Sequence, residues 1–367
     1  MRPHRIPSLA FRAARSLDNP VLGAFLSPRH VDDFLELVDP TWTVRRARAR
    51  IVSIRRETSS AVTLTLRPGP GFRGFAAGQH VALTVELAGR ATTRVFSIAS
   101  PESSTDLELT IRRSESGTVS RWADTTAKVG DVVSLGQAAG DFVRPDQDVP
   151  AYVFVAGGSG VTPIRSLVET LLENGFDRPI GLLLYARLDA DAIYLERFRA
   201  LAASHPNVRL RVCRTRGPAS AGELRGRFVP SHLDALGIAI ADARIYVCGP
   251  ETLTQAVLGF ASAQGLVART ERFHLPTRVA TTPERRITFR TSGRVALGDD
   301  ASPILERAEA EGLALAHGCR RGVCHRCVCT LARGSVMNLV TGEIESEPGQ
   351  PIRICINAPL SDVEIDE

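Results

Sequence analysis

Short runs in which apolar and polar residues alternate fill the stretch that begins near residue 45. ARIVSI, AVTLTL, HVALTVEL, TRVFSIA, LELTIRR and DVVSLG are rich in β-branched and aliphatic residues and are separated by Gly and Pro clusters. That rhythm predicts an antiparallel barrel or sandwich over 45–149. Near Tyr152 the period changes. AYVFVAGG, PIGLLLYAR, VRLRVCRTR and ARIYVCGP are almost continuously apolar, with helical patterns over 163–174, 193–203 and 253–264. Strands alternating with helices predict right-handed βαβ units and a parallel sheet over 150–275. Ahead of the barrel, in the extension 1–44, Val31, Phe34, Leu35 and Val38 recur at helical spacing behind Ser27-Pro28. This predicts a short amphipathic helix with Ser27 as N-cap and Pro28 at its first position. Its apolar face either packs on the rest of the protein or, with Arg5, Arg12 and Arg15 just upstream, docks on a membrane surface or a partner. Residues 276–284 read as a linker, and 285–367 as a compact unit with short strands at ITF, VAL, SVMNL and RICIN. A helix opens there at Ser302-Pro303 and ends near Gly312.

A length of 367 residues exceeds one ordinary domain, and 44% hydrophobic against 23% charged residues lets each unit bury a core, which excludes general disorder. The net charge of +5 and pI near 9.0 raise the question of nucleic acid, but the basic residues are scattered and Lys128 is the only lysine. Nucleic-acid binding is set aside on that ground. No run approaches the length needed to cross a bilayer and MRPHRIPSLAFRAAR lacks a secretory apolar region, so the expected location is cytoplasmic, with at most peripheral contact at the inner membrane surface. A monomer is expected.

Cysteine usage sharpens the picture. Cys319, Cys324 and Cys327 stand in C-x4-C-x2-C spacing with Cys355 downstream, the pattern of plant-type [2Fe–2S] ligation. Gly318 and Gly322 suit a loop whose N–H groups turn toward sulfur. Structural zinc is the alternative, but zinc ribbons usually pair two short C-x2-C knuckles. Cys329, two residues past Cys327, reads as a packed bystander. A second signal is AYVFVAGGSGVTP, in which a strand ends in Gly157, Gly158 and Gly160 and leads through Thr162 into a helix. Such a turn lets a backbone approach a pyrophosphate at a helix N-terminus. No Gly-Lys-Ser/Thr follows, so it is not a Walker loop.

Residues 285–367 resemble a plant-type ferredoxin of the β-grasp fold, departing from it at His325-Arg326, where small residues are more usual. Arg94-Val95-Phe96-Ser97 on a strand, the helix start Gly117-Thr118-Val119-Ser120, the turn G-G-x-G-x-T-P and the later YVCGP together resemble the ferredoxin–NADP⁺ reductase family. The resemblance implies an FAD-binding β-barrel, a parallel α/β nicotinamide-binding domain and, here, a C-terminal ferredoxin. It implies that Arg94 neutralises flavin phosphates, Phe96 packs beside the isoalloxazine and Ser97 hydrogen-bonds near N5. Gly117, Thr118, Val119 and Ser120 would receive the pyrophosphate. Phe96 replaces the more frequent Tyr, so a hydroxyl contact is lost. Gly157, Gly158, Gly160 and Thr162 would hold the dinucleotide, with Cys248 and Gly249 beside the nicotinamide; Ser97 and Cys248 are then the catalytic pair. Glu271 and Phe273 resemble a segment bordering the flavin. Arg187, Thr215 and Arg216 fall where the family grips the adenosine ribose and its 2′-phosphate, which favours NADPH, while Asp189 and Asp191 argue for NADH.

These parts form a relay. A nicotinamide gives up two electrons together, a [2Fe–2S] cluster takes one, and flavin splits the pair. The order flavin, nicotinamide, ferredoxin also occurs in the phthalate dioxygenase reductase type, which uses FMN. The whole chain, LVDPTW included, resembles actinobacterial NADPH oxidoreductases that serve stearoyl-CoA and fatty-acid desaturases. The expected acceptor is such a desaturase; a soluble Rieske-type, aromatic-ring or carnitine oxygenase is the alternative, and a non-enzymatic redox sensor a further one.

Overall fold

The computed structural model describes residues 31–114, 117–144, 149–216, 219–220, 222–273 and 279–367. Ser27, Pro28 and the upstream arginines lie outside the described residues, as does part of the expected linker. The chain separates into a first unit that ends at Glu271 and a second that runs from Arg272 to Glu367 and takes in Thr93–Val95.

In the first unit the amphipathic segment forms helix α1 (Val31–Val38). Its buried residue is Asp32, whose carboxylate accepts the N–H groups of Val44 at 2.6 Å and Arg45 at 3.2 Å. Phe34, Leu37 and Val38 stay 46%, 83% and 72% exposed, so the expected packing of the apolar stripe gives way to anchorage through a polar residue. The alternating runs then become β1 (Ala47–Thr58), β2 (Ala61–Pro68), β3 (His80–Leu87), β4 (Arg90–Ser97), β5 (Leu107–Arg112), helix α2 (Thr118–Thr125) and β6 (Val132–Leu135). The strands lie in the order β4-β3-β6-β1-β2-β5, and an antiparallel bridge between Ile98 and Leu109 joins the two ends into a barrel. Ile51, Leu64, Leu66, Val81, Leu83 and Leu109, one face of each alternating strand, fill the interior.

The apolar runs become β7 (Ala151–Gly157), α3 (Val161–Glu173), β8 (Ile180–Ala186), α4 (Leu195–Ser204), β9 (Val208–Arg214), β10 (Leu224–Arg225), α5 (Ser231–Asp234), β11 (Ala243–Cys248), α6 (Glu251–Ala263) and β12 (Ala268–Glu271). All six strands are parallel in the order β10-β9-β8-β7-β11-β12. The order reverses between β7 and β11, and the crevice at such a switch point is where open parallel sheets receive ligands. Barrel and sheet are knitted into one unit. Tyr194, at φ +62°, places its hydroxyl on Thr110 and 3.5 Å from Thr63, while the Arg165 guanidinium lies 4.6 Å from its ring centre and pairs with Glu108 and Glu169.

The second unit contains β13 (Arg285–Phe289), β14 (Val295–Gly298), α7 (Ile304–Ala310), β15 (Val328–Arg333), β16 (Val336–Asn338), β17 (Ile344–Glu345), β18 (Gln350–Arg353), β19 (Asn357–Pro359) and β20 (Val363–Asp366). One sheet has the order β14-β13-β20-β15-β18, with β13 and β20 parallel, and a small sheet has the order β17-β16-β19. Ile304, Leu305 and Ala308 of α7 bury against Ile287, Phe289, Leu331 and Ile365. This is the β-grasp arrangement of a sheet closing on one helix. RICIN, expected as a strand, is broken. Ile354–Ile356 form a turn between β18 and β19, with Ile356 N bonded to Arg353 O at 2.9 Å.

Candidate functional site

Strand β4 presents Arg94 and Phe96 on one side and Ser97 on the other, as period-two alternation requires. Phe96 packs half-buried on the barrel core, and Arg94 Nη1 donates to Thr93 O at 2.8 Å. Ser97 is buried and its hydroxyl donates to Glu271 Oε2 at 2.9 Å, across 174 residues of sequence. Glu271 closes β12 and stands in register with Cys248 at the end of β11, which is itself in register with Ala156 on β7. The fold therefore gathers Ser97, Cys248 and Glu271 at the carboxyl ends of the parallel strands. Glu271 takes a second contact, with His80 Nδ1 at 2.9 Å, that no local pattern signals. His80 is a single histidine in an alternating strand, so only the fold could mark it.

Gly117 caps α2 without a side-chain hydrogen bond; Ser120 Oγ instead donates to Gly117 O and receives Ser114 N, both at 3.1 Å. An uncapped helix start of eight residues fits a flavin pyrophosphate. The Gly-rich turn runs from Gly157 through a 3₁₀ turn at Gly158–Gly160 into α3, and Thr162 Oγ1 ties it back to Ser159 O at 2.9 Å. A Cβ on Gly160 would lie 2.0 Å from Cys248 O, so this turn and the end of β11 touch backbone to backbone. The Gly-rich turn and Cys248-Gly249 thus form one continuous backbone surface. Arg187 follows β8 and Thr215-Arg216 follows β9, neighbouring parallel strands; Thr215 N and Oγ1 bind Ala186 O at 3.0 and 3.3 Å. Both arginines are exposed, just past the carboxyl ends of these neighbouring strands. Phe273 falls in the second unit, where the Arg321 guanidinium lies 5.7 Å from its ring centre.

The four cysteines form two pairs. Cys319 N donates to Cys324 Sγ at 3.2 Å, Cys324 N returns to Cys319 Sγ at 3.3 Å, and Cys327 Sγ lies 3.0 Å from Cys355 Sγ. None is in a disulfide. Among the described residues no three His, Cys, Asp or Glu side chains gather closely enough for a single metal ion. Two thiols per metal is what a two-iron cluster requires, whereas one tetrahedral zinc would draw all four to a point. The residues present therefore fit a [2Fe–2S] group. Arg321 N and Val323 N also point at Cys319 Sγ, each at 3.4 Å. The Cys319 thiol is driven down, first by the Cys324 thiol bonded to it and then by these N–H groups. Arg320, Gly322 and His325 all take left-handed φ of +56° to +72°, which winds the loop so that its amides face inward. At Gly322 a Cβ would also strike Ile356 Cδ1 at 2.4 Å. Cys329 sits apart on β15, packed against the core.

Three domain families match in chain order: an oxidoreductase FAD-binding domain over residues 55–143, an oxidoreductase NAD-binding domain over 154–258 and a 2Fe-2S iron-sulfur cluster binding domain over 288–359. The chain is 32% identical over 351 residues to an NADPH oxidoreductase of Mycobacterium tuberculosis, covering 93% of this chain and 89% of the relative. The chain belongs to the ferredoxin–NADP⁺ reductase family, among flavin reductases with a C-terminal plant-type [2Fe–2S] domain. It is an NAD(P)H-dependent oxidoreductase, and its cofactors are FAD, NAD(P)H and a [2Fe–2S] cluster. The glycine betaine monooxygenase reductase subunit of Chromohalobacter salexigens is 25% identical over 365 residues, covering 91% of this chain and 98% of its own. Among solved structures, phthalate dioxygenase reductase shares the fold at a TM-score of 0.58 and 19% identity, covering 87% of this chain and 97% of the other. In this reductase no described helix is long and apolar enough to cross a membrane.

Proposed function

We propose that this reductase draws hydride from NADPH in preference to NADH and delivers single electrons to an oxygenase, and that the oxygenase is a membrane fatty-acid desaturase. The observation that carries the redox reading is the meeting of Ser97, Cys248 and Glu271 at the switch point of the parallel sheet, beside the Gly157–Gly160 turn. When bound, a flavin accepts an electron pair and releases it singly, and a [2Fe–2S] cluster carries one electron at a time.

The chain's own residues bind and orient. Arg94 supplies positive charge for flavin phosphates, the Gly117–Ser120 helix start supplies amides, and Phe96 flanks the ring. Because its single O–H is donated to Glu271, Ser97 would present its hydroxyl oxygen toward N5 as an acceptor, with Glu271 holding it in place. Gly157, Gly158, Gly160 and Thr162 receive the nicotinamide pyrophosphate, and buried Cys248 with Gly249 keeps water from the nicotinamide face. Arg187, Thr215 and Arg216 grip the adenosine end. Two exposed guanidiniums past the carboxyl ends of neighbouring strands suit a 2′-phosphate better than a bare ribose, which supports NADPH. Cys319, Cys324, Cys327 and Cys355 hold the cluster.

Support for a membrane-bound acceptor comes from α1, whose Leu37 and Val38 face solvent. On this reading the chain is a cytoplasmic monomer that touches the inner membrane surface through its N-terminal segment. The full-length match to a monooxygenase reductase subunit supports the second reading, a soluble oxygenase as acceptor. An anaerobic titration with NADPH and then NADH, following flavin bleaching and the cluster EPR signal together, tests the donor. Reconstitution with a fatty-acid desaturase against a Rieske oxygenase tests the acceptor. Turnover with the Rieske enzyme alone would reject the desaturase.

A further inference from the structure

The carboxylate of Glu271 is held from both sides. Ser97 donates to Oε2 and the ring of His80 to Oε1, each at 2.9 Å, and the His80 and Glu271 side chains are 9% and 6% exposed. The two donors come from the barrel, 174 and 191 residues away in sequence, while Glu271 ends the parallel sheet. His80 is itself fixed. Its backbone exchanges both hydrogen bonds with Ala139 at 2.9 Å, and a Cβ on Gly140 would lie 2.9 Å from Nδ1 and 3.0 Å from Cε1, so that edge of the ring lies close against the loop.

The other ring nitrogen, Nε2, is buried and has no hydrogen-bond partner among the described residues. A buried polar atom without a partner costs stability, and an apolar side chain would fill the start of this alternating strand without that cost. Among the described residues the ring's hydrogen bond is the one aimed at Glu271. Terminal carboxylate torsions are broad, and a donor on each oxygen restricts the turning of the group.

We propose that His80 is a positioning residue for hydride uptake: by clamping Glu271 through Nδ1 it fixes the direction of the Ser97 hydroxyl. This rests on the reading that Ser97 serves the flavin. His80 touches neither substrate nor cofactor on this reading; it acts through Glu271. The contact, like that of Ser97, also spans barrel and nucleotide sheet, so it ties the two parts of the site together.

The test compares two polar variants of the full-length flavoprotein. Asn places its amide N–H where Nδ1 sits, whereas Gln places it nearer Nε2. NADPH reduction of the flavin is followed by anaerobic stopped flow, with flavin content measured for each protein. His80→Gln should lower the limiting reduction rate about tenfold or more, the loss of one hydrogen bond to a charged group, with the NADPH dissociation constant unchanged. His80→Asn should restore most of that rate. Equal rates in the two variants, a defect confined to NADPH affinity, or loss of flavin from both would each overturn the proposal. A wild-type protein whose bound flavin NADPH does not reduce would instead overturn the reading of Ser97 beneath it.

Discussion

Replacing Gly160 by alanine probes the closest approach in the nucleotide half of the molecule. The added Cβ would lie 2.0 Å from Cys248 O, 2.3 Å from Cys248 C and 2.7 Å from Gly249 N, all of them backbone. No side chain can swing aside. Ordinary carbon contacts begin near 3.5 Å, so the turn and the end of β11 must part by at least about 1 Å. Overpacking of this kind costs about 1–3 kcal/mol. Alanine's smaller unfolded-state entropy returns about 0.4–1 kcal/mol, which leaves the balance unfavourable. At about 2–4 °C per kcal/mol for a unit of this size, Tm should fall by several degrees. The larger effect falls on binding. A turn displaced by about 1 Å puts amides beyond hydrogen-bond reach of a pyrophosphate, so NADPH affinity should drop about tenfold or more while cluster content is unchanged. Isothermal titration with NADPH and a thermal melt read the two quantities. A variant with wild-type Tm and wild-type NADPH affinity would refute the assignment of Gly157–Gly160 as the dinucleotide floor.

Cys324→Ser should abolish the reduced-cluster EPR signal while NADPH still bleaches the flavin, whereas Cys329→Ala, on β15 and outside both thiol pairs, should keep the signal; the reverse pattern would overturn the ligand set. Arg216→Glu should raise KM for NADPH at least about tenfold and that for NADH far less, as expected for losing a charge-assisted pair to a phosphate; steady-state ferricyanide reduction with each donor decides it. Tyr194→Phe removes the hydroxyl that joins the sheet to Thr63 and Thr110 of the barrel and should cost about 1 kcal/mol, seen in the chemical-denaturation midpoint with the slope unchanged.

How far the chain could be read in advance depended on whether a feature is local. The barrel strands show as period-two alternation, and β7, β8 and β11 as apolar runs, because burial on one face or on both writes itself into neighbouring residues. Strand β12 escaped notice because ARTE is short and half polar, and its place beside β11 is set by pairing rather than by its own pattern. RICIN misled for a related reason. Ile352, Ile354 and Ile356 alternate as in a strand, but all three are buried around a turn that carries Cys355 to Cys327. The stripe on α1 was legible as a helix, yet its buried contact is made by Asp32, whose partners twelve and thirteen residues on reward a carboxylate rather than an apolar face.

The site divides along the same line. Cysteine spacing names four ligands because three of them share one loop, but spacing cannot say that they stand as two pairs; that follows from left-handed backbone at Arg320, Gly322 and His325, two of which are residue types that give no warning of it. Ser97 and Cys248 could be picked out because each sits in a recognisable segment. Glu271 could be named only as part of a bordering segment, and His80 not at all, because what makes them functional is one another. A carboxylate at a strand end and a histidine at a strand start are unremarkable until closure of the barrel and stacking of the parallel sheet bring them within 2.9 Å. On the proposed role of Ser97, the groups that orient its hydroxyl come from contacts spanning 174 and 191 residues, so changes at Ala139 or Gly140, against which His80 lies, should act on chemistry at Ser97 through His80 and Glu271.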